Sequence, residues 1–91
     1  MYIVVGLGNP GRKYEHTRHN VGFDVTEILS QKYDIPIRKL MCKAAVGEGT
    51  IRGERVVIAQ PQTFMNLSGE SVVQLLNWYK VDPTHLIVVY D

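Results

Sequence analysis

The sequence predicts an α/β fold in which a mixed, partly parallel sheet is flanked by helices, with elements in the order β-α-β-β-α-β. Three observations lead there. A short β-branched run at the amino terminus, Tyr2-Ile3-Val4-Val5, is closed by glycine. Two later stretches carry apolar residues at helical spacing behind polar segments. The final apolar run, Leu86 to Tyr90, is continuous rather than alternating, as in a central parallel strand covered on both faces.

Taken in order, residues 2–8 read as a buried strand and residues 9–18 as a polar loop. Val21, Val25, Ile28 and Leu29 then fall at i, i+4, i+7 and i+8, with Asn20 as the cap of that helix. The helix should end near Tyr33, because Ile35 precedes Pro36. Residues 36–42 read as irregular and basic. Lys43 to Ile51 and Arg55 to Gln60 form a hairpin about Arg52-Gly53-Glu54, stopped by Pro61. Asn66, Ser68 and Glu70 stand ahead of Val72, Val73, Leu76 and Tyr79, the pattern of a second helix with capping residues before its apolar stripe. Asp82-Pro83-Thr84 is a turn into the last strand, which runs up to Asp91. A strand of that kind calls for a covering element, so residues 1–91 are expected to be the N-terminal portion of a single, larger domain.

Composition bounds the function classes. Ninety-one residues allow one small domain, and a chain of this size buries about 60–65% of its unfolded surface. With 45% hydrophobic and 21% charged residues the composition is that of an ordinary soluble globular chain. No apolar run approaches the ~20 residues of a membrane span, and no basic region precedes Met1-Tyr2-Ile3, which reads against a signal peptide. Cys42 is the single cysteine; it forms no internal disulfide and is compatible with a reducing cytoplasm. The net charge is +1, but nine of the ten Lys and Arg lie between Arg12 and Arg55, alongside six of the nine acids. That is a weak electrostatic footprint for nucleic acid, and also what a solvated mixed-charge surface shows.

Gly6-Leu7-Gly8-Asn9-Pro10-Gly11 superficially matches a dinucleotide fingerprint, in which glycines let the backbone approach a pyrophosphate. Pro10 interrupts the turn, the loop runs on before a helix begins, and no strand about 20 residues later ends in an acid. The glycines then serve a tight turn. His16 and His19 have chelating separation, but no cysteine or carboxylate pair completes a zinc set. His85, behind a Pro-Thr turn, reads as a surface residue.

His19 is different. It follows the rigid glycine turn and immediately precedes a helix, while Asp91 closes what reads as another strand. In open α/β sheets ligands bind beyond the carboxyl ends of the strands, and an aspartate there can fix the tautomer of a histidine and stabilise its imidazolium. No serine or cysteine sits in a nucleophile elbow, so a catalytic His19 would activate water as a general base. Asn9 and Asn66 carry amides able to donate to a carbonyl or a developing oxyanion, though turns and caps favour Asn as well. Phe64-Met65 sets apolar surface beside these donors, the mixture found in ligand clefts and also in an ordinary core.

At this point the chain resembles a known family. Gly6-Leu7-Gly8-Asn9-Pro10-Gly11, Tyr14 and Thr17-Arg18-His19-Asn20-Val21-Gly22-Phe23 are similar to the N-terminal signature of the bacterial-type peptidyl-tRNA hydrolases. Pro61-Gln62-Thr63-Phe64-Met65-Asn66-Leu67-Ser68-Gly69 resembles their second signature, and Val88-Val89-Tyr90-Asp91 the start of a third. The resemblance implies a cytoplasmic carboxylic ester hydrolase that needs no metal or cofactor. Its substrate is peptidyl-tRNA, cleaved at the ester between the peptide and the tRNA 3′ end, so that tRNA is recycled to translation. It implies His19 as general base and Asp91 as its support. Asn9 resembles the residue that separates blocked from free aminoacyl-tRNA. Tyr14, Phe64 and Asn66 are similar to positions contacting the terminal substrate region, and Met65 lines the same cleft. It also implies a monomer at full length, no membrane contact, and a tRNA-binding surface supplied largely by a second half beyond residue 91. The alternatives are a non-catalytic RNA-binding protein on the same scaffold and an inactive truncated fragment.

Overall fold

The first strand, β1 (Tyr2–Gly6), is the spine of a five-stranded mixed sheet. The computed structural model describes residues 1–8, 20–63 and 67–90. After β1 come helix α1 (Val21–Tyr33), strands β2 (Lys39–Met41), β3 (Ala44–Ile51) and β4 (Glu54–Pro61), helix α2 (Ser68–Tyr79), a 3-10 turn (Pro83–His85) and strand β5 (Leu86–Val89). The strand order is β2-β3-β4-β1-β5. β4, β1 and β5 are parallel, with Val4 paired to Ile58 on one side and Ile87 on the other. β2, β3 and β4 form an antiparallel meander. The α/β class and the mixed, partly parallel sheet are as the sequence predicts.

Two of its expectations are corrected. Residues 36–42 are not wholly irregular: Lys39–Met41 is an edge strand against β3. Its three residues are too few for a period-2 pattern to show, and the turn that makes it, Cys42-Lys43 with φ of 53° and 58°, uses residues that do not advertise a turn. The last strand is parallel, as expected, but it sits at the sheet edge rather than in its centre, with β1 as its one neighbour among the described residues. The expected hairpin forms about Arg52-Gly53, whose φ of 51° and 82° is the two-residue turn that matches strand twist.

Period-2 alternation divides the strand residues between the faces. Ile3, Val5, Ala44, Val46, Val57 and Ala59 point toward α2 and pack on Leu75. Val4, Val56 and Ile58 point toward α1 and pack with Ile35. One helix thus covers each face, and each fully buried Ile or Leu contributes about 1.5–3 kcal/mol.

The faces the helices bury are not quite their predicted apolar stripes. In α1 the fully buried residues are Gly22 and Thr26, while Val21 and Ile28 are exposed. In α2 they are Ser68, Ser71 and Leu75, and Val73 is exposed. Small residues win these places because the helices approach the sheet closely. Neither helix has a side-chain cap at its start: Asn20 and Leu67 hold the cap positions without a capping hydrogen bond, and Ser68 is already helical.

Candidate active site

The three parallel neighbours β4, β1 and β5 all end on one edge of the sheet. Gly6 and Val89 are paired there, and Gln60 follows Ala59, the last residue of β4 paired with β1. The ladder continues one residue past β1, where the Leu7 amide donates to the Val89 carbonyl at 2.9 Å. Each strand leads within a few residues into a segment that carries sequence candidates. Gly8 precedes Asn9, Thr63 precedes Phe64, and Tyr90 precedes Asp91. Asn9, Tyr14, His19, Phe64, Met65, Asn66 and Asp91 themselves lie outside the described residues. What is visible is the frame to which they are attached.

That frame is built by backbone contact. The first turn of α1 lies directly on the ends of β1 and β5. A Cβ at Gly22 would stand 2.4 Å from the Val89 carbonyl oxygen and 2.5 Å from the amide nitrogen and carbonyl oxygen of Leu7. A Cβ at Gly6 would stand 2.2 Å from the Gly22 carbonyl oxygen. At Gly8 it would meet the Asn20 side chain at 2.8 Å and the Phe23 ring at 3.1 Å. The sequence reading assigned Gly6 and Gly8 to a tight turn. Neither has positive φ, and both are glycine because the start of α1 occupies the space a side chain would need.

A buried polar pair completes the frame on the α1 face. Thr26 is fully buried and Gln60 is 8% exposed. Gln60 Nε2 donates to Thr26 Oγ1 at 2.9 Å and lies 3.4 Å from the Phe23 carbonyl oxygen. The Thr26 hydroxyl in turn donates toward the carbonyls of Gly22 and Phe23, at 3.0 and 2.9 Å. Sequence reasoning missed both residues. The signal was there for Gln60, an amide at the end of the apolar run Val56 to Ala59 on the inward phase of the alternation. Thr26 carried none, since a helical threonine is ordinarily exposed. Nearby, Thr63 Oγ1 is buried with no hydrogen-bond partner among the described residues. A hydroxyl left so costs about 1–3 kcal/mol.

The opposite end of the sheet has a different character. An apolar groove lined by Tyr2, Leu29, Tyr33, Ile51 and Ile87 opens at the amino ends of the strands, away from the candidate-bearing edge. Tyr2 stacks on His85 there, with ring centroids 4.6 Å apart, and the His85 Nδ1 lies 3.1 Å from the Met1 carbonyl oxygen. His85 is thus a surface residue in a structural contact. Cys42 lies in the β2–β3 turn, where its carbonyl accepts from Ser71 Oγ at 2.7 Å.

A parallel βαβ frame with the motif-carrying segments attached at its carboxyl edge defines an open α/β fold, a class in which ligands bind beyond the strand ends. Comparison with known proteins gives the family. The family model for peptidyl-tRNA hydrolase matches residues 3–91, and the chain belongs to the peptidyl-tRNA hydrolase family. Curated relatives of that name include those of Alkaliphilus metalliredigens, 59% identical over 91 residues, and Clostridium novyi, 50% identical over 91 residues. In each case the whole of this chain is matched, to 49% and 48% of the relative. The crystal structure of peptidyl-tRNA hydrolase from Acinetobacter baumannii superposes with a TM-score of 0.95 at 39% identity, over 100% of this chain and 47% of that one. The chain therefore spans about half the length of the relatives it matches.

Proposed function

We propose that this chain is the base-bearing half of an enzyme that hydrolyses the ester linking a peptide to the 3′ end of tRNA. The observation that carries the reading is the family match across residues 3–91, made to a chain whose three parallel strands end together at the segments holding the family's residues. In this reading His19 takes a proton from water as the water oxygen attacks the ester carbonyl; the C–O bond to the tRNA 3′ oxygen then breaks, and that oxygen takes the proton from the imidazolium. Asp91 holds the imidazole in the accepting tautomer and stabilises its charged form. Asn9 and Asn66 donate to the carbonyl region as charge develops on its oxygen. Asn9 also selects blocked over free aminoacyl groups, Tyr14, Phe64 and Asn66 contact the terminal region of the substrate, and Met65 lines the same cleft. Most phosphate contacts, which dominate nucleic-acid affinity, come from the part of the family domain outside this chain. The setting is the cytoplasm, and the full-length protein acts as a monomer without metal. Among the described residues no helix is long and apolar enough to cross a membrane.

The test is release of the acyl group from N-acetylaminoacyl-tRNA. It is run with the chain alone and with the chain extended by the second half of the Alkaliphilus metalliredigens relative. Extension should raise turnover, and His19→Ala should abolish most of it, by about 100-fold or more, with unchanged folding by circular dichroism. Asp91→Asn should cost less, because an aspartate in this role tunes the base rather than supplying it. Turnover of His19→Ala near that of the unsubstituted chain would remove His19 from the mechanism. tRNA binding without cleavage would select the RNA-binding reading, and loss of both the inactive fragment.

A further inference from the structure

We infer that Thr26 and Gln60 form a positioning pair, a buried strut that sets the spacing between the helix start after His19 and the segment leading to Phe64-Met65-Asn66. The inference rests on the proposed hydrolase reading and deepens it. Gln60 belongs to the end of β4, four residues before Phe64. Thr26 sits one turn into α1, seven residues after His19. Their 2.9 Å hydrogen bond joins α1 to β4, where the neighbouring packing of Leu29 and Tyr33 around Val56 and Ile58 is apolar and carries no direction of its own.

The chemistry of the pair is directional. A hydroxyl has one proton and two lone pairs. Thr26 spends the proton on the carbonyls of its own helix turn and takes Gln60 on a lone pair. The carbonyls of Gly22 and Phe23 are thereby fixed relative to β4. Gly22 is the residue seated on Leu7 and Val89, so the strut holds the same turn from its second side. Three strand ends then meet one helix turn: β1 and β5 through Gly22, β4 through Gln60. Burial of two apolar side chains would fill the same volume at no polar cost, as buried polar groups stabilise no better than well-packed hydrophobes. An amide and a hydroxyl instead specify one register, and a displacement of about 1 Å at a reacting group can cost about 100-fold in rate.

Stability and function separate in the test. Thr26→Val keeps the shape and the methyl that faces Gly6 but removes the hydroxyl. Thr26→Ser keeps the hydroxyl and removes the methyl. If Thr26 is only packing, activity follows stability, and the valine variant is the better of the two. In a positioning role the order inverts: Thr26→Ser retains kcat within about threefold, while Thr26→Val loses about 10- to 100-fold in kcat with KM little changed. The readout that does not depend on turnover is the imidazole spectrum of His19 in the 91-residue chain, by ¹H–¹⁵N correlation. Thr26→Val and Gln60→Leu should both displace the His19 ring signals and shift its titration midpoint, and Thr26→Ser should leave them in place. His19 signals unmoved in Thr26→Val, by a chain that remains folded, would overturn the inference whether or not the chain hydrolyses ester. A chain inactive even when extended by the second half, but showing the displaced signals, would sink the hydrolase reading and leave the strut standing.

Discussion

At the residue scale, glycine decides the geometry of the frame at the strand ends, and two helical glycines give opposite predictions. Gly22 and Gly69 each lie in the first turn of a helix. Alanine is favoured over glycine in a helix by about 1 kcal/mol. At Gly69 nothing among the described residues lies within 4 Å of the added methyl, so Gly69→Ala should raise stability by roughly 0.5–1 kcal/mol. At Gly22 the methyl meets backbone atoms of Leu7 and Val89 at about 2.5 Å, and these are hydrogen-bonded to each other at the paired ends of β1 and β5, which leaves them little room to give. Overpacking costs about 1–3 kcal/mol or more, which outweighs the propensity gain. Gly22→Ala should therefore lose stability, by about 2 kcal/mol net. Denaturant titration of the two variants checks both signs, and a stabilised Gly22→Ala would mean that the helix does not rest on the strand ends. The signature glycines were legible as a motif in the sequence. Their purpose was not, because close approach of two backbones leaves no trace in the chain itself.

At the scale of elements, α2 is tied to the antiparallel arm of the sheet by polar contacts beside its apolar ones, among them Ser71 to the Cys42 carbonyl, Glu70 to Lys43 and Tyr79 to Glu48. Tyr79 donates to Glu48 Oε2 at 2.5 Å, with Lys39 Nζ at 3.5 Å from the same oxygen. The tyrosine hydrogen bond, with the charge of Lys39 behind it, holds the Glu48 carboxyl below its ordinary range. Burial, and then Glu48 itself, pushes the Tyr79 phenol well above its own. A carboxylate with a depressed folded pKa contributes stability above its unfolded pKa, near 4.3, and loses it as pH falls through the folded value. A phenol with a raised folded pKa contributes fully below about 10 and loses it only above. Tyr79→Phe should then cost a constant increment between about pH 6 and 9. That increment should shrink toward zero below about pH 4. Glu48 is partly exposed, so solvent screening keeps it below about 1 kcal/mol. Melting temperatures of the two proteins across that range measure it; a difference that grows in acid would exclude Glu48 as the partner. The elements joined here were unequally visible. β3 and β4 could be read from their alternation and the Arg52-Gly53 turn. β2 escaped because three residues carry no period, and the faces of α1 and α2 were legible only in part: Leu29, Val72, Leu76 and Tyr79 pack on the core as their spacing implies, but apolar spacing does not show that small residues such as Thr26 and Ser71 touch the sheet.

At the scale of the whole molecule, the α/β class followed from order: apolar runs separated by helices, with polar motifs directly after three of them. Chain order could not reveal which strands are neighbours. β1 comes first in sequence yet lies between β4 and β5, and only that arrangement gathers the three motif-bearing ends on one edge. It also leaves β5 outermost. The two edges of the sheet are unlike. β2 is three residues long and carries Lys39, features that discourage pairing with another strand. β5 is wholly apolar, with Ile87 48% exposed and Val88 36%. The Val89 carbonyl faces β1, so strand alternation turns the amide and carbonyl of Val88 outward. An apolar edge with unpaired backbone groups is a template for a second strand. The 91-residue chain should accordingly associate with concentration, and Ile87→Lys should suppress it by placing a charge on that edge. The concentration for association should rise by about tenfold, equivalent to about 1.4 kcal/mol. Little stability should be lost, since half of the side chain is already in water. Sedimentation velocity over a concentration series reads this directly. Association unchanged in Ile87→Lys but lost in a Leu40→Lys variant of the β2 edge would transfer the sticky surface to the other side of the sheet.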